Sequence, residues 1–338
     1  PRCLYQNCAC MCMFQILRVQ GIGRSCSAMS SPSKKQKIGS SHETKTVGFI
    51  GLGAMGSHLA RHLNTFSEKE WGTKALVWNR TLETAQEHAR AHGTVAVTTL
   101  AELGSCHVLC LCLPTTAHVK AVLNEVPLEP DSLVIDMTSG DPEETRELAA
   151  KLENVRDVHF VDAPVSGGPT GAAAGTVTSM LGGDPSDIAL ASRVCGAWSK
   201  KVVHCGPVGA GDATKSINNV MNSAHLLLAT EGMLALKKYG VEPATAVEVI
   251  NASSGASLQV QRLPDNVLSR KFAYGFALGL MHKDCRIAGN LVARQTPDAI
   301  LIPKVVALLG EAEERYGPNA DYTQIAQLLE ERAGVTLG

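Results

Sequence analysis

From Lys45 onward the chain alternates short apolar runs with stretches whose apolar residues recur three and four positions apart, the pattern of strands followed by amphipathic helices. It predicts strands at Val47–Ile50, Ala75–Trp78, Val108–Leu113, Leu133–Asp136, Val158–Val161 and Thr176–Leu181, and helices at Ser57–Leu63, 81–92, 116–123 and 142–152. Such alternation implies a parallel sheet with helices on both faces, because a crossover between parallel strands needs a helix-length connection. The polar stretch Asn64–Lys74 reads as a surface loop insertion. After Lys215 the pattern turns wholly helical. A long helical pattern has Ile217, Val220, Met221, Ala224, Leu227 and Leu228 as its apolar stripe, and helices follow at 243–251, 257–268, 276–294, 303–316 and 322–333, broken at Pro243, Pro264, Pro297, Pro303 and Pro318. An α/β unit over residues 45–207 followed by an all-α unit over 208–338 suits 338 residues, more than one core usually organises.

Composition narrows the function classes. With 45% hydrophobic residues and a formal net charge of −1, nothing calls for nucleic acid or an anionic membrane as partner, and no run of 18 apolar residues offers a membrane span. Residues 1–44 differ: no acid precedes Glu43, while Arg2, Arg18, Arg24, serine clusters and Lys34-Lys35-Gln36-Lys37 predominate. They read as a disordered tail. The protein is expected in the cytoplasm, with Met29 as an alternative start, or in mitochondria if the tail acts as a transit peptide; a nuclear signal is a third reading. Of eleven cysteines, Cys3, Cys8, Cys10 and Cys12 crowd the tail without histidine partners, so no metal is expected, and Cys106, Cys110 and Cys112 suit a reduced apolar interior.

Candidate chemistry begins where the first strand runs into Gly51-Leu52-Gly53-Ala54-Met55-Gly56 and a helix. Strand, G-x-G-x-x-G and helix form the dinucleotide fingerprint of a Rossmann-type NAD(P)-binding domain: Gly51 for the turn, Gly53 for approach of a pyrophosphate, Gly56 for close packing. The second strand ends in Asn79-Arg80-Thr81, where an acid would bind the ribose hydroxyls of NAD. Without that acid, and with Arg80 and Thr81 able to bind a 2′-phosphate, NADP(H) is preferred and NAD(H) is the second option; Arg80 stacking on adenine is the alternative use. Leu113-Pro114-Thr115 and Ser139 fall at later strand ends, where such sheets bind ligands, although Thr115 and Ser139 equally suit helix caps.

Two further stretches bear on a substrate. Ser166-Gly167-Gly168 can offer a hydroxyl and successive amides to a carboxylate, or serve only as a glycine-rich turn before the next strand. Gly206, Gly209 and Gly211 form a joint leading into the long helix, whose first turns carry Lys215 and, four residues on, Asn219 on the same face. A lysine partly desolvated at the head of an apolar helix can serve as a proton donor, whereas a solvated surface lysine is the plainer reading.

Taken in order, Gly48–Gly56, Asp162–Gly168 with Gly171, Gly175 and Thr176, Gly206 through Lys215 to Asn218-Asn219, and His282-Lys283-Asp284 resemble the motifs of the β-hydroxyacid dehydrogenase family over roughly residues 45–330. That family includes 3-hydroxyisobutyrate dehydrogenases and, closest in character, NADPH-dependent glyoxylate/succinic semialdehyde reductases. The resemblance implies a catalytic role for Lys215, a substrate-carboxylate site at Ser166, Gly167 and Gly168, substrate orientation by Asn219, and a cofactor/substrate motif at Lys283 and Asp284. It also implies a long interdomain helix from near Gly211 toward Tyr239 that joins the two units, a small aldehyde or hydroxy acid as substrate, and a homodimer or homotetramer. His282 is a rival proton donor. NAD-dependent 3-hydroxyisobutyrate oxidation, or a nucleotide-binding module without catalysis, are the alternatives.

Overall fold

A computed structural model describes residues 45–338; the disorder, targeting and cysteine readings of residues 1–44 lie outside it. The first half alternates as the apolar pattern requires: β1 (Val47–Ile50), α1 (Gly56–Trp71), β2 (Leu76–Trp78), α2 (Leu82–His92), β3 (Val95–Ala96), β4 (Val108–Leu111), α3 (Thr116–Glu125), β5 (Leu133–Asp136), α4 (Pro142–Arg156) and β6 (His159–Asp162). These strands are parallel in the order β3-β2-β1-β4-β5-β6. Successive side chains of a strand point to opposite faces, so the sheet has two cores. Phe49, Cys110 and Ile135 pack with Leu59 and Leu63 of α1, while Ile50, Leu109 and Val134 pack with Val119 of α3 and Leu148 of α4.

β7 (Val165–Ser166), α5 (Gly168–Ala174), β8 (Val177–Gly182), α6 (Pro185–Cys195) and β9 (Ser199–Gly206) extend the sheet. β8 runs antiparallel to β6 and β7, and β9 lies parallel to β8 with register shifts at both ends. The helical half follows: α7 (Ala210–Tyr239), α8 (Pro243–Asn251), α9 (Leu258–Leu263), α10 (Leu278–Gln295), α11 (Leu301–Tyr316) and α12 (Ile325–Ala333). α7 has 30 residues and so spans about 45 Å. Its inward face, with Val220, Leu227 and Leu234, shares one core with Leu263, Met281, Leu309 and Leu329.

Four expectations are corrected. Asn64–Lys74 is not a loop, because α1 continues to Trp71 and stops at Gly72, with φ 69°. Its polar residues misled because two of them are buried and bonded: Asn64 Nδ2 donates to His92 O and Asn64 Oδ1 accepts from Ala75 N–H, while Ser67 meets Thr73 at 2.9 Å. The glycine-rich segment after Ser166 is a short helix, α5, rather than a turn. The predicted helix 257–268 divides at Pro264, which has no N–H to continue the α ladder, and Pro264–Leu268 forms a π turn. Finally, Met221 and Leu228 are 51% and 71% exposed, so the α7 stripe read from the sequence is partly an outer face.

Candidate functional site

The predicted cofactor residues gather at the carboxyl ends of β2, β1, β4 and β5, which are neighbours in the sheet. Gly51 has φ 97°, and a Cβ there would lie 2.4 Å from Cys112 O; one on Gly56 would lie 1.9 Å from Gly51 O. These two glycines let the turn close. At Gly53 an added Cβ meets nothing within 4 Å, so the backbone between them faces open space. No side chain caps α1. Its first amides and positive dipole end therefore suit a pyrophosphate, which is the fit that a dinucleotide requires.

Asn79 is a strut between two parts of this rim. Leu52 N–H donates to Asn79 Oδ1 at 3.1 Å, and Asn79 Nδ2 donates to Thr81 O at 3.2 Å. Arg80 and Thr81 are exposed beside it, with Thr81 at the N-cap of α2 but its side chain not capping. At the next strand ends Leu113 N–H donates to Thr138 Oγ1 at 3.0 Å. Thr115 accepts from His118 N–H and caps α3, whereas Asp141 rather than Ser139 caps α4.

The helical half reaches this rim through α10. Lys283 Nζ donates to Ser139 O at 2.7 Å and to Pro114 O at 3.3 Å, and lies 2.9 Å from Asp284 Oδ1. Asp284 Oδ2 accepts from Asn219 Nδ2 at 2.6 Å. Asn219 is buried on α7 one turn beyond Lys215, which is half-buried. Burial holds the Lys215 pKa below its ordinary value; Asp284 pulls it back up and Lys283 adds to the lowering. His282, on the same helix as Lys283, instead pairs with Glu313 at 2.5 Å.

Ser166 to Gly168 stand apart from that chain of contacts. Ser166 pairs with Thr178 across β7 and β8, and Gly167 and Gly168 are exposed with φ 148° and 65°. α5, which starts at Gly168, is anchored at its other end by α1: Arg61 donates to Ala173 O at 2.6 Å, and His62 Nε2 lies 3.1 Å from Ala172 O. Sequence reading missed Thr138 and the buried carboxylates Asp136 and Asp212. An aspartate ending two successive strands, Asp136 and Asp162, was the available signal. Among the described residues no cluster of histidine, cysteine and carboxylate suits a metal ion, and no helix is long and apolar enough to cross a membrane.

Two family profiles match the chain. The NAD binding domain of 6-phosphogluconate dehydrogenase covers residues 46–206, and the NAD-binding of NADP-dependent 3-hydroxyisobutyrate dehydrogenase covers residues 209–329. The 2-(hydroxymethyl)glutarate dehydrogenase of Eubacterium barkeri is 29% identical over 86% of this chain and 97% of its own. A Dictyostelium discoideum protein named "probable 3-hydroxyisobutyrate dehydrogenase, mitochondrial" is 30% identical over 75% of this chain and 81% of its own. Among solved structures, the Mycobacterium tuberculosis 3-hydroxyisobutyrate dehydrogenase with L-serine superposes with a TM-score of 0.77 at 27% identity, over 85% of this chain and 99% of that one.

Proposed function

Because the chain belongs to the β-hydroxyacid dehydrogenase family, NAD(P)-binding oxidoreductases acting on the CH–OH group of hydroxy acids, we propose that it interconverts a small β-hydroxy acid and its semialdehyde, with Lys215 as proton donor and acceptor and NADP(H) as preferred cofactor. The observation that carries this reading is the run of contacts from the strand ends at Pro114 and Ser139 through Lys283 and Asp284 to Asn219, one turn from Lys215. Burial of Lys215 near Asp284 and Lys283 supports its reading as the donor beside the cofactor rim.

When bound, the nicotinamide supplies a hydride to the carbonyl carbon or removes one from the alcohol carbon. The turn Gly51, Leu52, Gly53, Ala54, Met55 and Gly56 would hold the pyrophosphate, with Asn79, Arg80 and Thr81 at the ribose end and Leu113, Pro114, Ser139, Lys283 and Asp284 along the nicotinamide half. The Ser166 hydroxyl and the Gly167 and Gly168 amides hold the substrate carboxylate. Lys215 gives its proton to the carbonyl oxygen in reduction and recovers it in oxidation. Asn219, its amide turned by Asp284, orients that oxygen. The two alcohols in the relatives' names share a hydroxymethyl carbon next to the carbon that bears a carboxylate, which supports a substrate class of this shape. A panel of glyoxylate and of succinic, methylmalonate and tartronate semialdehydes, each with NADPH and NADH, tests the reading by nicotinamide absorbance. Loss of absorbance with none of them would leave a nucleotide-binding module without catalysis.

Two smaller effects follow from the rim. Arg80→Ala is expected to raise KM for NADPH about tenfold while changing KM for NADH less than about twofold, since an exposed charge-assisted bond to a 2′-phosphate has a modest value. The missing acid after β2 and the description of the profile over residues 209–329 both support NADP(H). Arg61→Ala, which removes the guanidinium bond to Ala173 O and leaves His62 alone at the end of α5, is expected to raise substrate KM about fivefold with NADPH affinity unchanged, as judged by titrating each ligand separately. A homodimer or homotetramer through the helical half is supported by the exposure of Met221, Leu228 and Tyr239 along α7, and light scattering measures it.

A further inference from the structure

α7 begins without a cap of its own, because its N-cap residue, Gly209, has no side chain. The capping carboxylate comes from another element. Asp162, the last residue of β6, accepts Gly209 N–H on Oδ1 at 2.6 Å and Asp212 N–H on Oδ2 at 2.8 Å. Backbone closes tightly around it: a Cβ on Gly211 would lie 2.7 Å from Asp162 Oδ2 and 2.3 Å from Met180 O, and one on Gly182 would lie 2.5 Å from Asp162 Oδ1. Asp212 continues the lashing, accepting Gly140 N–H at 3.0 Å and the Thr145 hydroxyl at 2.8 Å. The residue that grips the head of α7 thus also starts the short segment leading to Ser166, Gly167 and Gly168.

We propose that Asp162 is a positioning residue for the reaction, whose carboxylate fixes the first turn of α7 to the strand end that carries the substrate turn, so that Lys215 and Ser166–Gly168 keep one relative placement. This rests on the reading of Lys215 as proton donor. The grip needs the ionised form, since a protonated carboxyl presents an O–H where the second amide requires an acceptor. Burial pushes Asp162 up to about 6 against the lowering by its amide partners. The titratable groups facing this junction are Asp136 from β5, pushed up to about 7 mainly by burial, and Asp212 from α7, raised by burial and by both other carboxylates; Lys283 and Cys112 face Asp136. Protonation therefore loosens the grip below about pH 6. It does not unfold the chain: a carboxyl whose folded pKa is raised takes up its proton more readily folded than unfolded, so its contribution to stability grows as pH falls toward its unfolded value.

Steady-state kinetics of the full chain between about pH 5 and 8, beside melting temperature and NADPH titration, test this. In the wild type kcat is expected to fall below about pH 6 with no parallel loss of NADPH affinity. Asp162→Asn keeps one acceptor and should lower kcat about 10²-fold at neutral pH, the scale of a displaced catalytic group, with NADPH affinity retained and the acid limb gone. A kcat within about threefold of wild type, or an unchanged acid limb, overturns the proposal. Should Asp162→Asn fail to fold, Thr145→Val serves: losing the hydroxyl that favours ionised Asp212 leaves less negative charge beside Asp162, so the limb moves to lower pH, and an unmoved limb overturns the proposal. Lys215→Ala is the separate arm. Retained turnover there sinks the proton-donor reading whatever Asp162→Asn does, whereas loss there with normal Asp162→Asn turnover sinks the positioning role alone.

Discussion

Lys215→Ala is expected to lower kcat by about 10²–10⁴-fold, the usual worth of a placed general acid, while NADPH affinity stays within a few-fold. The side chain lies one turn before Asn219 on α7, and the glycine turn and strand ends that form the dinucleotide rim make no hydrogen bond to it. His282 is no substitute donor because Glu313, on α11, engages it. Lys215→Arg should fail nearly as badly, since a guanidinium keeps its proton too firmly and presents a planar fork in place of a point donor. The pH dependence has a definite sign. Burial lowers the lysine's pKa, and under the proposed mechanism reduction consumes its proton, so reduction should be fastest below that lowered value and decline as pH rises through it, while oxidation gains over the same interval. Stopped-flow absorbance in both directions measures this. Above the acid limb assigned to Asp162, opposite limbs are expected, and parallel limbs there would assign the proton to another group.

Gly56→Ala is expected to weaken NADPH binding about 10²-fold, with the helical half unaffected, because a methyl there would stand 1.9 Å from the Gly51 carbonyl and must push the turn open. The obstruction is backbone, which cannot rotate aside as a side chain does. Gly53→Ala is the informative contrast: the added methyl meets no protein atom within 4 Å, so the fold should tolerate it and only a bound pyrophosphate would feel it. Fluorescence titration with NADPH and thermal melting of both variants separate the two cases. Equal melting temperatures for Gly56→Ala and wild type would contradict the close contact.

Six of the strands were legible because a buried strand reads as a continuous apolar run, whereas β3, β7 and β9 and the order of strands in the sheet were not. What escaped has a common cause in contacts between residues far apart in sequence. The end of α1 was misread because Asn64 and Ser67 look like loop residues until their partners at Ala75, His92 and Thr73 are in place. The cap of α7 was invisible for the same reason, since Asp162 meets Gly209 only after the sheet has formed. Lys215, Asn219, Lys283 and Asp284 could be singled out from motif order, but no spacing in the chain states that Lys283 would reach the carbonyls of Pro114 and Ser139.

β9 has a consequence for how the molecule behaves when concentrated. A strand at the margin of a sheet invites a second chain to add to it, and β9, with eight residues, is far longer than the two-residue β3 at the opposite margin. Yet Lys200 and Lys201 stand exposed on it, and its pairing with β8 is displaced at Val177–Thr178 and again at Leu181–Gly182. Charge and irregular register both oppose stacking of strand on strand, so fibrillar growth from this margin is disfavoured, and self-association is left to the apolar residues on the outer side of α7.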